Sequence, residues 1–437
     1  MFLVKEKFIV KRIIVSEINK FIDKKIKLEG WVYRIRKLKE ITFLIIRDRS
    51  GLVQCVIENR SINIDNINIE SVVSVIGEVK ISKNVLNPFE ILIEEIKVIS
   101  ESEELPIEIN KKDYNANLET TLNNRAISLR HEKVNSVFKI QNIIAQSFRE
   151  FLIEKGFTEI FTPKIVSEGA EGGTQLFKIK YFEKTAYLAQ SPQFYKQMMV
   201  GAGFERVFEI AHVYRAEEHN TSRHLNEYVS MDLEICFIED EYEVMKLEEE
   251  LMKYILKSVE EKGIKYLELL NAKLPKIHGS IPKIELKEAI KIIEDKYKKT
   301  GLEGDLDPEG EKLICKYARE ELGCDFIFIT NYPRKKRPMY TMPLGEEGTR
   351  SFDLLFRGVE ITTGGQRIHN YNMLINSMKE KGLNPNDYEG YTEIFKYGMP
   401  KHGGLAIGLE RITAQLLNLN NIREATLIPR DRTRITP

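Results

Sequence analysis

The sequence predicts a multi-domain chain: a small closed β-barrel, then a larger α+β domain built on an antiparallel sheet flanked by helices. Three observations predict it. Five short β-branched runs, divided by turn-like stretches, fill the first hundred residues. Residues 102–130 are polar and poor in core residues. Apolar residues then recur at helical spacing, with strands interleaved. A length of 437 residues is ample for two domains, and 42% hydrophobic with 30% charged residues is the balance of a soluble globular protein.

The five runs are KIKLEGWVYRI, ITFLIIRD, LVQCVIE, SVVSVIGEVK and FEILIEEIKVI. RKLKE, RSG, a polar stretch and SKNVLNP separate them. Five strands of this length suit an OB-fold, which assigns 1–108 to one domain and 109–130 to a hinge with a capping piece. The second domain, 131–437, opens on a helix. Val137, Ile140, Ile143, Ile144, Ser147, Phe148, Phe151 and Leu152 share one face of it, and Gly156 stops it. FTEIFTPKIV reads as a strand ending near Pro163. Further strands are expected at AYLAQ, RVFEIAHVYRA, EYVSMDLEICF, DFIFIT, SFDLLFRGVEI and GGLAIG, with a last helix after Leu409. Residues 240–320 are helical and charged and read as an insertion.

Composition excludes several classes. No apolar run reaches the roughly 18 to 20 residues that span a bilayer. The start, MFLVKEKFIVKR, is too short and too charged for a secretory signal. Cys55, Cys236, Cys315 and Cys324 form no CxxC pair, which argues against a thiolate metal site and a disulfide framework and suits a reducing cytoplasm. The 66 basic residues balance 66 acidic ones, so overall charge announces no polyanion. Residues 21–40 do carry seven Lys or Arg against three Asp or Glu, a local patch suited to a folded RNA.

The stretch RAEEHNTSRHLNEYVSMD, 215–232, concentrates chemistry on two expected strands and a polar turn. Arg215 before the turn can fork two donors onto a phosphate, His224 can add charge near more distal phosphates, and Tyr228 offers a flat face to a purine. In GGLAIGLERITAQLL, Arg411 sits at a helix start, where the positive helix end adds to its own charge. Asp353 and Glu360 straddle a β-run, and a bulge there would let both carboxylates meet one Mg²⁺. No glycine-rich phosphate loop is present.

These segments closely resemble motifs 2 and 3 of the class II aminoacyl-tRNA synthetases, and FTEIFTPKIV resembles motif 1, their dimer element. QSPQFYKQ (190–197) and GGQR (364–367) resemble the aspartyl-tRNA synthetases, of the archaeal type without a large inserted domain. The resemblance implies ligation of L-aspartate to the 3′ end of tRNA(Asp) through an aspartyl-adenylate, in a cytoplasmic homodimer, with Mg²⁺ and ATP. It implies that Arg215 and Arg411 are catalytic, and that Glu217, Arg223, His224, Leu225, Tyr228, Glu360 and Gly408 join them around ATP. Glu171, Gln193, Lys196, Asp232, Thr363 and Arg367, with Arg215, would hold aspartate, and Asp353, Glu360 and Thr363 the metal. Lys196 and Arg367 would form a desolvated cationic pocket that calls for the side-chain carboxylate of aspartate. On the barrel, Phe43 would stack an anticodon base, Gln54 and Glu90 read base edges, and Arg34 and Arg47 contact the RNA.

The chain departs from the family at His212, where relatives usually have Pro, and at Thr363, where many have Ser. Strict members carry a Trp at the position of Tyr33 and a Lys near Leu86; their absence leaves tRNA(Asn) open as a second acceptor. An asparaginyl-tRNA synthetase and a non-catalytic RNA-binding paralogue are the alternatives. The first should lack the QSPQ and GGQR pairing, and the second should lack an intact Arg215, Asp353, Glu360 and Arg411 set.

Overall fold

The computed structural model describes residues 11–58, 62–82, 88–169 and 175–437. Glu171 and Leu86 lie outside the described residues. The chain divides after His131 into two compact units, each with its own core.

The first unit is a closed barrel, ordered β1-β2-β3-β5-β4, of β1 (Lys25–Lys37), β2 (Thr42–Asp48), β3 (Gly51–Ile57), β4 (Val72–Ile81) and β5 (Phe89–Ser100). Strict alternation drives it. Along β2, Leu44, Ile46 and Asp48 point inward, while Phe43, Ile45 and Arg47 are only half-buried. A bulge at Val32–Arg34 bends β1 so that the barrel can close. Residues 109–130, expected as a hinge, carry α1 (Leu118–Asn123) and α2 (Arg125–Ser128) and belong to this unit. Ile107 and Ile109 are buried, and the Asn110 amide donates to Tyr33 O at 2.9 Å and Glu70 at 3.0 Å.

The second unit is an eight-stranded sheet, ordered β12-β13-β16-β17-β18-β11-β10-β6. These are β6 (Thr158–Glu159), β10 (Arg206–Tyr214), β11 (Glu227–Cys236), β12 (Lys283–Glu285), β13 (Phe326–Thr330), β16 (Ser351–Phe356), β17 (Val359–Gln366) and β18 (His402–Gly408). The central pairings are antiparallel, but β6 and β12 join in parallel at the two edges, so the sheet is mixed. Small sheets hold β7 (Ile165–Val166), β8 (Lys178–Tyr181) and β9 (Lys184–Leu188), and β14 (Pro343–Leu344) with β15 (Gly348–Thr349). FTEIFTPKIV is therefore two strands in different sheets, broken at the proline that cannot donate to a ladder. SFDLLFRGVEI is likewise not one run but a hairpin. Arg357 (φ 48°) and Gly358 (φ 89°) make its two-residue turn, both in the left-handed region that such turns require.

Helix α3 (Glu132–Glu154) buries all eight residues expected on its core face. α4 (Gln193–Met199), α6 (Leu286–Tyr297), α7 (Pro308–Glu321), α8 (Tyr371–Glu380), α9 (Glu389–Thr392) and α10 (Leu409–Leu417) complete the layers with α5 (Glu241–Leu270). The expected insertion needs correction here. α5 is part of the main core: Val244, Met245, Leu251, Met252, Ile255 and Val259 pack with the α3 and sheet residues. Apart from the buried Glu241 and Glu248, most of its charges lie on the outer face, which hides the stripe from composition. No helix among the described residues is long and apolar enough to cross a membrane.

Candidate active site

One cavity of about 420 Å³ opens over the middle of the large sheet. β10 and β11 deliver one wall. Arg215 follows β10, and its backbone N–H donates to Asn226 O at 2.9 Å across the loop. The Asn226 amide ties that loop internally through Arg215 O at 2.7 Å and Glu217 O at 3.0 Å. The Arg215 guanidinium lies 5.7 Å from the centre of the Tyr228 ring. The carboxy-terminal segment straps the same loop, with Asn226 N donating to Arg430 O at 2.9 Å and Ile422 N to Ser222 O at 2.9 Å.

The opposite wall comes from β17 and α10. Arg411, in the first turn of α10, donates to Glu360 O at 3.1 Å and lies 3.6 Å from Glu360 Oε1. The Thr363 hydroxyl donates to Glu360 Oε1 at 2.9 Å. A shift in register leaves Ile361 extra between Thr362 and Glu360, so the bulge imagined for this strand is present. Asp353 pairs in register with Thr363 but does not line the cavity. Its Oδ2 accepts from Arg337 at 2.6 Å, and burial raises its pKa although Arg337 pulls the other way.

All nine residues assigned to ATP line this cavity: Arg215, Glu217, Arg223, His224, Leu225, Tyr228, Glu360, Gly408 and Arg411. Gln193, Asp232, Thr363 and Arg367 line it as well, and Lys196 does not. Lys196 is 2% exposed beneath the floor. Its ammonium donates to Asp232 Oδ1 (3.0 Å), Leu233 O (3.3 Å) and Leu405 O (3.0 Å), and lies 3.5 Å from Glu234. Arg367 donates through Nε to Glu234 at 3.0 Å and through Nη2 to Glu234 at 3.4 Å and Gln193 at 3.5 Å. The pocket is thus not a pair of bare cations awaiting an anion. Two carboxylates already balance it. Burial would push the Glu234 carboxyl up, but Arg367 and Lys196 hold it below the usual range. His402 stays uncharged, because burial lowers its pKa to about 4. Gly404 keeps room for Glu234, since a Cβ there would meet Glu234 Oε2 at 2.2 Å and Leu233 O at 2.2 Å.

His224 also departs from its expected charge. Burial and the nearby Arg411, His219 and Arg223 outweigh Glu217 and lower its pKa, so the ring is neutral near pH 7. Its Nδ1 meets the Thr221 hydroxyl at 2.7 Å. Sequence reasoning missed three anchors. Glu234 is one. Glu311, from α7, pairs with Arg223 and accepts from Glu360 N at 3.2 Å. Glu410 accepts from Val229 N at 3.1 Å, next to Tyr228, and burial raises its pKa to about 7.

In the barrel, Phe43, Gln54, Glu90 and Arg47 are half-buried and Arg34 is exposed. Phe43 stands on β2 opposite Arg36 and Val56. Gln54 donates to Glu90 at 3.0 Å across a parallel pair. Arg34 donates to Asn110 O at 3.3 Å. Arg47 is tied to Glu70 at 2.7 Å and packs 5.8 Å from the centre of the Trp31 ring, whose other neighbour is Arg130 at 5.6 Å.

Residues 117–432 match the family model for tRNA synthetases class II (D, K and N), and residues 26–99 match the OB-fold nucleic acid binding domain. The chain is 48% identical to an aspartate–tRNA(Asp/Asn) ligase of Deinococcus radiodurans, over 98% of this chain and 99% of the relative. It is 44% identical to an aspartate–tRNA(Asp) ligase of Pyrococcus horikoshii, over 97% and 98%. Among solved structures it is similar to asparaginyl-tRNA synthetase from Pyrococcus horikoshii complexed with asparaginyl-adenylate, at TM-score 0.91 and 32% identity over 98% of this chain and 100% of that one. The cavity, the barrel and these likenesses agree: the chain belongs to the class II tRNA synthetases (D, K and N), and within them to the aspartate–tRNA ligases.

Proposed function

We propose that this protein joins L-aspartate to the 3′ end of tRNA in two steps. The aspartate α-carboxylate attacks the α-phosphorus of ATP, pyrophosphate leaves, and the terminal ribose hydroxyl of tRNA then takes the aspartyl group from the adenylate. Two anions must approach in the first step, so charge neutralisation and alignment are the main tasks. Arg215, which lines the cavity beside the Tyr228 ring, is assigned the α-phosphate and substrate carboxylate. Glu217 and Tyr228 hold the adenine. Arg223 and Arg411 take the phosphate tail, with His224 beside them as a neutral hydrogen-bonding group. The observation that carries this reading is the placement of these groups with Arg367 around one cavity.

Arg367 Nη2 reaches Glu234 at 3.4 Å and Gln193 at 3.5 Å, and this group is assigned the substrate side-chain carboxylate. Lys196 sets the charge beneath. Asp232 and Gln193 face the substrate ammonium, and Glu171 is the further residue proposed there. The Glu360 carboxylate and Thr363 hydroxyl are hard oxygen donors on the wall, and Asp353, whose Oδ1 is buried without a hydrogen-bond partner among the described residues, is the third group assigned to Mg²⁺. Bound there, Mg²⁺ would supply charge neutralisation to the phosphates.

The barrel is assigned the anticodon, through Phe43, Gln54, Glu90, Arg34 and Arg47. With Tyr33 in place of Trp, both tRNA(Asp) and tRNA(Asn) are proposed as acceptors. Phe161, 86% exposed beside β6, supports a homodimer that covers it. The cytoplasm is the proposed location. The deciding experiment is charging of purified tRNA(Asp) and tRNA(Asn) with aspartate and with asparagine. Charging by asparagine alone would refute the assignment, and rejection of tRNA(Asn) would restrict it to one acceptor.

A further inference from the structure

We propose that Arg337 is a further ATP-binding residue, a phosphate-holding cation that Asp353 anchors. The inference rests on reading the cavity as an adenylate-forming site. Arg337 comes from the segment after β13 and lines the cavity with Arg215, Arg223 and Arg411. Its Nη2 donates to Asp353 Oδ2 at 2.6 Å. Its guanidinium carbon lies 3.7 Å from the centre of the Tyr332 ring. The side chain is 11% exposed, and its Nε is buried without a hydrogen-bond partner among the described residues.

Three arginines of the cavity share one construction. Arg223 is held by Glu311, Arg411 by Glu360, and Arg337 by Asp353. Each guanidinium has five donors, so one carboxylate fixes its plane and leaves donors for a second acceptor. Fixing the plane in advance removes entropy that a loose side chain would lose on binding. A buried ion pair adds little stability over an apolar pair of similar volume, so stability alone is a weak reason for a guanidinium here. A polyphosphate supplies the acceptor the remaining donors lack. Asp353 anchors that cation through Oδ2, and its other oxygen is the one assigned to Mg²⁺.

The test compares the wild-type chain with Arg337→Gln and Arg337→Lys. ATP binding is measured directly, without amino acid, and adenosine is measured as a competitor. Arg337→Gln should weaken ATP binding on the order of tenfold or more, with Arg337→Lys between it and wild type, and adenosine binding unchanged. KM for aspartate in pyrophosphate exchange should shift less than about twofold. A folded variant with wild-type ATP affinity overturns the proposal. So does an equal loss for adenosine, which marks a structural effect, or a loss confined to KM for aspartate. If Arg337→Gln does not fold, Arg337→Lys alone decides by the same readings. Because ATP binding needs no amino acid, a wild-type chain that fails to activate aspartate would overturn the preceding section and leave this assignment standing.

Discussion

Lys196 and Arg367 meet on a single carboxylate: Glu234 lies 3.5 Å from the ammonium and accepts from the guanidinium Nε at 3.0 Å. Glu234 is fully buried and Lys196 nearly so, which makes the cluster costly to break from either side. Lys196→Met would leave Asp232 and Glu234 under-paired. It should lower the unfolding free energy by about 3–5 kcal/mol and abolish aspartate activation. An unchanged urea midpoint would show that the cluster does not hold the fold.

The same cluster is the one proposed to choose the amino acid. With its own charges balanced, it can accept the aspartate side chain through Arg367, whereas an amide would present N–H groups toward cations. Pyrophosphate exchange should favour aspartate over asparagine in kcat/KM by roughly 30-fold to several thousandfold, about 2–5 kcal/mol. Comparable rates with the two amino acids would contradict this.

Glu311 positions Arg223 from outside the nucleotide wall. Glu311→Gln keeps the shape but not the charge, and should raise KM for ATP several-fold, on the order of 1 kcal/mol, with a smaller change in kcat. An unaltered KM for ATP would make the pair purely structural.

Glu248 on α5 is fully buried, and among the described residues its side-chain oxygens have no hydrogen-bond partner meeting ordinary geometry. Burial, with Asp353 nearby, raises its pKa from 4.5 to about 8. The folded chain therefore keeps this proton where the unfolded chain has lost it. The contribution to stability is fully present below about pH 4.5 and is lost as pH rises to about 8. Glu248→Gln should remove this slope and gain a few kcal/mol relative to wild type between pH 5 and pH 8. Denaturant titrations at the two pH values measure it, and parallel curves would refute it.

Phe43 tests the barrel separately. Phe43→Ala should raise KM for tRNA by roughly 5- to 150-fold, the loss of about 1–3 kcal/mol of base stacking, and leave tRNA-free pyrophosphate exchange as in wild type. A fall in exchange would place the damage in the fold.

Much of this was legible in the chain. Short β-branched runs between turn-like stretches marked the five barrel strands, and the helical stripe of α3 was read residue by residue. The expected nucleotide residues lie in three segments, around 215–228, at Glu360 and at 408–411, and the resemblance to motifs 2 and 3, rather than spacing, gathered them. Glu234 was overlooked although its signal was present: Ser230, Asp232 and Glu234 alternate along β11 and so share a face. The α5 stripe was masked by averaging its outer charges over the segment. Glu311 and Arg337 had no local signal. They lie 88 residues beyond Arg223 and 16 before Asp353, and only the folded sheet brings each pair together. The hairpin at Arg357–Gly358 was missed because apolar residues run on both sides of the turn.

The strap from residues 422 and 430 onto the loop between Arg215 and Asn226 has a consequence for biosynthesis. On a ribosome, the phosphate-facing loop is made some two hundred residues before the backbone that pins it. A nascent chain halted ahead of residue 422 would carry the barrel strands and most of the large sheet but not the backbone contacts that steady this loop. Synthesis of that late strap, rather than of either core, then becomes the step that completes the cavity wall.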